Sequence, residues 1–205
     1  KNVLNKKEIL IFYNELKKIK KNSLFKKGED IKRIEYLKKK QSLIKKSNLY
    51  EIDKIYWLIE DCKKYGTFAF AGLARCGFIA MELLNSLVEI KKISEKDKNI
   101  FLSNISTITS KMTNDLNSLS KEDFIKIYGH LRPGTYEITS LNYKEGFKKY
   151  FGDNYKSRTF KGETKRVRIN APLNKIGIYK SNNELFNFIK DSIIHREYSK
   201  FIFSK

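Results

Sequence analysis

The chain has 205 residues, 40% of them hydrophobic, which is enough for one sizeable core with at most a small subdomain. A formal charge of +20 and a pI near 9.7 raise nucleic acid or another anionic surface as a partner. All but seven of the 43 basic residues are lysine, scattered among Ile and Asn, which argues for a solvated lysine surface and against a nucleic-acid reader built on clustered arginine.

Residues 1–46 read as a helical hairpin set apart from a second unit, 47–205. Ile9, Phe12, Leu16 and Ile19 give one apolar stripe and Ile31, Ile34, Leu37 and Ile44 the other, with a turn at Lys26-Lys-Gly-Glu-Asp30. Asn48 and Glu51 make a capping-box-like start for a helix whose buried stripe is Ile52, Ile55, Ile59 and Cys62, and Gly66 is its expected end. Phe68–Met81 is rich in small residues. Gly72, Ala74 and Gly77 invite close approach of another backbone, and Arg75 is the lone charge. The apolar stretch Phe68–Val88 is broken by Arg75, Glu82 and Asn85, so it reads as a core helix and not a membrane span.

Ser94 with Asp97 starts a helix in which Phe101, Ile105, Ile108, Met112 and Leu116 follow at helical spacing. Ser120 with Asp123 starts a short one that stops at Gly129, and Pro133-Gly134 suits a type II turn. From 141 to 180 the pattern is irregular. Val167–Ile169 and Ile176–Tyr179 are short strands or loop. Ser181 with Glu184 starts a last helix with Leu185, Phe188, Ile189 and Ile193 on the core side. The fold class is therefore mainly α, a multi-helix domain with an irregular or short-stranded insertion near 152–180. Two prolines and ten glycines in the whole chain agree with long unbroken helices.

Cys62 and Cys76 lack a C-x-x-C pattern and only His130 and His195 could join them, so no zinc site is expected. Both read as small buried hydrophobes of a cytoplasmic protein. The chain opens on Lys1 and closes on an apolar Phe201-Ile-Phe, and is expected to be a piece of a larger protein.

Chemistry has three places to sit. Arg75 among small residues needs a carboxylate or an anionic ligand if it is buried. The His130–Glu137 loop gathers an imidazole, the Arg132 guanidinium, the Thr135 hydroxyl and the Glu137 carboxylate around one turn. Arg196 and Lys200 stand four apart on the last helix, so they share a face and suit a phosphoryl group; a basic helix end complementing the dipole is the plainer reading. There is no P-loop, Rossmann fingerprint or G-x-S-x-G.

Three segments together, Tyr65–Phe78, Tyr128-Gly-His-Leu-Arg-Pro-Gly-Thr-Tyr-Glu-Ile138 and Arg196-Glu-Tyr-Ser-Lys-Phe201, resemble the middle domain of phosphoenolpyruvate-synthase-like phosphotransferases. The likeness covers about 48–150 and 183–205, and is nearest to the capsule-linked branch that includes L-glutamine kinases. The resemblance implies a three-part enzyme. An ATP-grasp domain would use ATP and Mg, a swivelling domain would carry a phosphohistidine, and this chain would hold the acceptor, with no cofactor of its own and no activity alone. It implies catalytic roles for His130, Arg196 and Lys200, and substrate binding by Arg75, Arg132, Thr135, Glu137 and Glu197. The implied partners are L-glutamine and the other two domains, with no membrane. The alternatives are a kinase of another small acceptor, or a basic helical nucleic-acid-binding module.

Overall fold

A computed structural model describes residues 5–133, 137, 139–152 and 182–205. Among them it has eight α-helices and no strand: α1 (Lys6–Lys46), α2 (Glu51–Asp61), α3 (Phe68–Glu89), α4 (Glu95–Ser103), α5 (Ile108–Ser118), α6 (Lys121–Tyr128), α7 (Phe147–Phe151) and α8 (Asn182–Phe203). A π-helical segment, Cys62–Thr67, joins α2 to α3 without a break. The chain is mainly α, as the periodicity predicts. The insertion expected near 152–180 and the start at Ser181 lie outside the described residues.

The hairpin expected over 1–46 is instead the single helix α1, opened by a reciprocal Asn5–Glu8 capping box. One glycine inside a helix costs only about 1 kcal/mol relative to alanine. A turn at Gly28 would give up a larger contribution, because Ile34 and Leu37 are wholly buried. They share a cluster with Ala69 and Leu73 of α3 and Ile202 of α8, so the boundary at 46/47 also fails: the second half of α1 belongs to the common core. The first half does not, and Ile9, Phe12 and Leu16 are exposed.

α3 is the central element, flanked by α8 and α1. Its buried face, Ala69, Leu73, Cys76, Ala80, Leu84 and Leu87, recurs at helical spacing. Leu84 and Leu87 meet Leu185 and Ile189 of α8. Gly72 and Gly77 allow the expected close approach. A Cβ at Gly77 would lie 2.7 Å from Cδ of Arg196, and one at Gly72 would run into the carboxylate of Asp30 on α1. The run Glu51–Glu89 is long and apolar enough, by length and composition, to cross a bilayer. In this fold its α3 half lays its apolar side on α1 and α8.

Three expected boundaries move. α2 is capped by Tyr50 without a side-chain bond, not by Asn48, and Gly66 does not end the helix. The stripe expected to be buried on α2 faces solvent: Ile52 is 70% exposed, and Ile55 and Ile59 are exposed as well. Its more buried side is Lys54, Leu58 and Asp61, one residue out of step. The helix expected to run through Phe101–Leu116 breaks into α4 and α5, because Thr107 and Ser110 form a capping box between them. The Ser94 and Ser120 starts stand as read, with Asp97 and Asp123 as their partners.

Candidate functional site

The site begins where α6 ends. Gly129 closes that helix with its N–H on the Ile125 carbonyl. The chain then doubles back on itself: Tyr143 N–H donates to the Leu131 carbonyl at 2.9 Å and Lys144 N–H to that of Gly129 at 3.1 Å. Arg132 Nη1 spans the same loop to the Ser140 carbonyl at 2.7 Å. Beneath it, Phe124, Tyr128 and Phe147 form a buried aromatic cluster that also takes in Leu131 and Phe201. Tyr128 donates to Asp115 of α5 at 2.6 Å. Burial, then that carboxylate, pushes its phenol pKa up, so the bond holds its proton.

His130 ties the loop to α8. Its Nε2 lies 3.3 Å from the Phe201 carbonyl, and the two rings meet edge-on at 5.0 Å. A carbonyl oxygen can only accept, so Nε2 carries the proton in this contact. Burial lowers the imidazole pKa, the Phe201 carbonyl works the other way, and Lys205 and Lys45 add to the lowering. The neutral ring is thereby favoured, and the site's positive charge comes from arginine and lysine.

Between this loop, α3, α5 and the second half of α8 lies a cavity of about 480 Å³. That is the size of a small-molecule site. His130 and Arg132 reach it from the loop, and Arg196, Glu197 and Lys200 from α8. Phe70, Ile108, Met112, Leu131, Tyr143 and Phe201 give it apolar walls. Five of the eight expected site residues thus meet at one place. Thr135, like the turn at Gly134, lies outside the described residues.

Two expectations are corrected. Arg75 is not buried and does not line the cavity. The small residues around it, Gly72, Cys76 and Gly77, are the ones turned inward; Arg75 shares the outer face of α3 with Phe68, Ala71 and Phe78. Glu137 is exposed and is not a lining residue. Its carboxylate accepts from the Thr139 hydroxyl of its own turn, which holds its pKa below the usual carboxylate range.

Glu197 has a structural task. Its Oε2 accepts from the Thr109 backbone N–H at 3.0 Å, in the first turn of α5. That N–H has no partner within its own helix, and a carboxylate there complements the helix dipole. Glu197→Ala should therefore cost about 1–2 kcal/mol, the upper part of the range for a lost N-terminal cap. Urea unfolding measures it. A change of a few tenths would show that the contact adds little.

Arg196 and Lys200 are different. Among the described residues neither makes an ion pair. The Arg196 guanidinium rests over the Phe78 ring, 4.9 Å from its centroid, while its stem crosses Gly77. With Glu197 engaged at α5, three basic side chains line a cavity of mixed polar and apolar walls, and an anionic ligand is the group this arrangement suits.

Sequence reasoning missed Phe70, Thr109, Met112, Tyr143 and Phe201 as lining residues. Phe201 and Ser204 had a signal, since they follow Glu197 at four and seven residues on one helical face. Tyr143 sits in irregular chain, where no period points to it. No family model matches the chain, and neither a curated protein nor a solved structure matches it.

Proposed function

We propose that this chain is the acceptor-binding domain of an ATP-dependent phosphotransferase that works through a phosphohistidine, and that its acceptor is a small amino acid, L-glutamine. The observation that supports this most is the convergence of Arg132, Arg196 and Lys200, with His130, on one cavity of small-molecule size. In this reading Arg132 holds the acceptor carboxylate, and Arg196 and Lys200 neutralise the phosphoryl oxygens as the group leaves its carrier. The bond from phosphorus to the carrier histidine breaks, a bond from phosphorus to the acceptor amide nitrogen forms, and the amide proton is taken up by the His130 imidazole. ATP and Mg act in another part of the cytoplasmic parent enzyme. The resemblance of the Tyr65, Tyr128 and Arg196 segments to phosphoenolpyruvate-synthase-like middle domains, and within them to the capsule-linked branch, is the reason for choosing glutamine.

The test uses the parent enzyme with Lys200→Ala and Arg196→Ala. Each should lower acceptor phosphorylation about tenfold or more, the worth of one hydrogen bond to a charged group. ATP-driven labelling of the carrier histidine should stay unchanged. An equal loss of both activities would mean that the pair does not serve the acceptor. The alternative of a different small acceptor predicts that glutamine fails to bind in calorimetry while another carboxylate binds and loses affinity in the same variants.

A further inference from the structure

Arg196 lines the cavity, but the groups that hold its side chain do not. Its guanidinium carbon lies 4.9 Å from the centroid of the Phe78 ring. Its stem lies on the backbone of Gly77, where a Cβ would stand 2.7 Å from Cδ and 3.3 Å from Cβ of Arg196. Neither Gly77 nor Phe78 is a lining residue. The α8 backbone beneath Arg196 is held as well. Ser199 Oγ donates to the Arg196 carbonyl at 2.9 Å, and Glu197 accepts from the Thr109 N–H of α5.

Each part of this seat has a physical effect. Glycine is a poorer helix former than alanine, yet it stands at 77 in the interior of α3. A larger residue there would push the Arg196 stem aside. Phe78 is 58% exposed, so its ring adds little to the core. Arg33 of α1 rests over Phe68 of α3 at 5.0 Å in a similar way, but Arg33 is also bonded to Asp30, and that stack ties two helices together. Arg196 makes no ion pair among the described residues. Stacking covers a face of the guanidinium and leaves the N–H groups in its plane for an acceptor. A free arginine loses rotamer freedom when it grips an anion, whereas a seated one has lost part of it beforehand.

We propose that Phe78 is a positioning residue for the anion site: it holds the Arg196 guanidinium, whose stem is seated on Gly77, in the rotamer that meets an anionic group in the cavity. This rests on the reading of Arg196 as an anion-binding group given above. Phe78 itself touches no ligand. A stack at an exposed site raises the odds of the seated rotamer by about two- to fivefold. Affinity scales with the fraction of molecules in the binding rotamer, so losing the stack weakens anion binding by up to that factor.

The experiment is calorimetric titration of the 205-residue chain with inorganic phosphate. Arg196→Ala should weaken binding most. Phe78→Leu should weaken it about two- to fivefold, with thermal unfolding changed little because the ring is exposed. Phe78→Trp keeps a ring face for the guanidinium and should restore the affinity, which a purely structural role would not require. In the Arg196→Ala background Phe78→Leu should add no further loss, because the stack has gone. Equal weakening by Phe78→Leu and Phe78→Trp overturns the proposal, as does a Phe78→Leu loss that persists without Arg196. Unchanged binding in Phe78→Leu overturns it too. So does tighter binding, which would make the ring a place that keeps Arg196 from the ligand. In all these cases Arg196→Ala still weakens binding, and the reading of Arg196 stands. No phosphate binding by the unaltered chain, or binding indifferent to Arg196→Ala, overturns that reading and this proposal together.

Discussion

Phe124→Ala is expected to destabilise the protein by about 3–5 kcal/mol, the range for deleting a fully buried phenyl ring. Phe124 is 1% exposed, and its ring meets Tyr128 at 5.0 Å, Phe147 at 5.9 Å and Phe151 at 5.5 Å between centroids. These contacts join α6 to α7, and α7 follows directly on the strip of chain that doubles back under His130. The mutation should therefore reach the cavity. Helical circular dichroism should fall little at low temperature, while binding of an anionic ligand such as inorganic phosphate should weaken strongly. Phe124→Leu keeps much of the volume and should recover most of both losses. The measurements are urea unfolding and calorimetric titration. Destabilisation below about 1 kcal/mol would show that the aromatic cluster collapses around the gap, against the cavity term expected of a packed core.

Gly72→Ala is the second large effect, at about 2–3 kcal/mol, from overpacking against the buried carboxylate of a half-exposed ion pair. A methyl group there would press on the Asp30 carboxylate, whose Cγ would lie 3.0 Å away. Asp30 is buried and bonded to Arg33 Nη1 at 3.3 Å. Burial raises its pKa and Arg33 opposes that rise, so pushing the group aside weakens the partner that keeps it charged. The diagnostic is a double-mutant cycle. With Asp30→Ala in place, Gly72→Ala should cost under about 1 kcal/mol, because the clash has gone, and the two changes should be far from additive. Additive losses would locate the cost of Gly72→Ala elsewhere in the helix contact.

What the sequence discloses here depends on range. The caps at Ser94 and Ser120 are local matters between residues three apart and are read correctly, while Asn48, with the same spacing to Glu51, does not cap, because Tyr50 takes that position. The core side of α8 repeats often enough that period alone finds Leu185 and Ile189. Gly28 and Gly66 mislead because a glycine permits a break without requiring one, and the decision falls to distant partners: Ile34 and Leu37 against Ile202 for the first, Leu37 and Phe203 around the second. The candidate site shows the same division. His130 and Arg132 stand out by residue type, whereas spacing alone leaves Arg196 and Lys200 as a basic helix end, and it is the resemblance that singles them out. Glu197 looks like one more ligand-binding group until Thr109, 88 residues away, is found holding it. The sequence neighbours of Arg75 do not tell its surroundings, because a helix turns each residue about 100° from the next.

The π-helical segment Cys62–Thr67 has a consequence for how α2 came to face outward. Ile52, Ile55, Ile59 and Cys62 continue in ordinary helical period into Gly66, Ala69, Leu73 and Cys76, which is the buried side of α3. An i→i+5 turn holds one residue more than an α turn and so rotates everything before it by about 100°. Wound as a regular α-helix, the same residues would bring the isoleucines round to the side of Ala69 and Leu73. The outward face of α2 is therefore decided by how one turn is hydrogen-bonded, and not by the order of its own side chains.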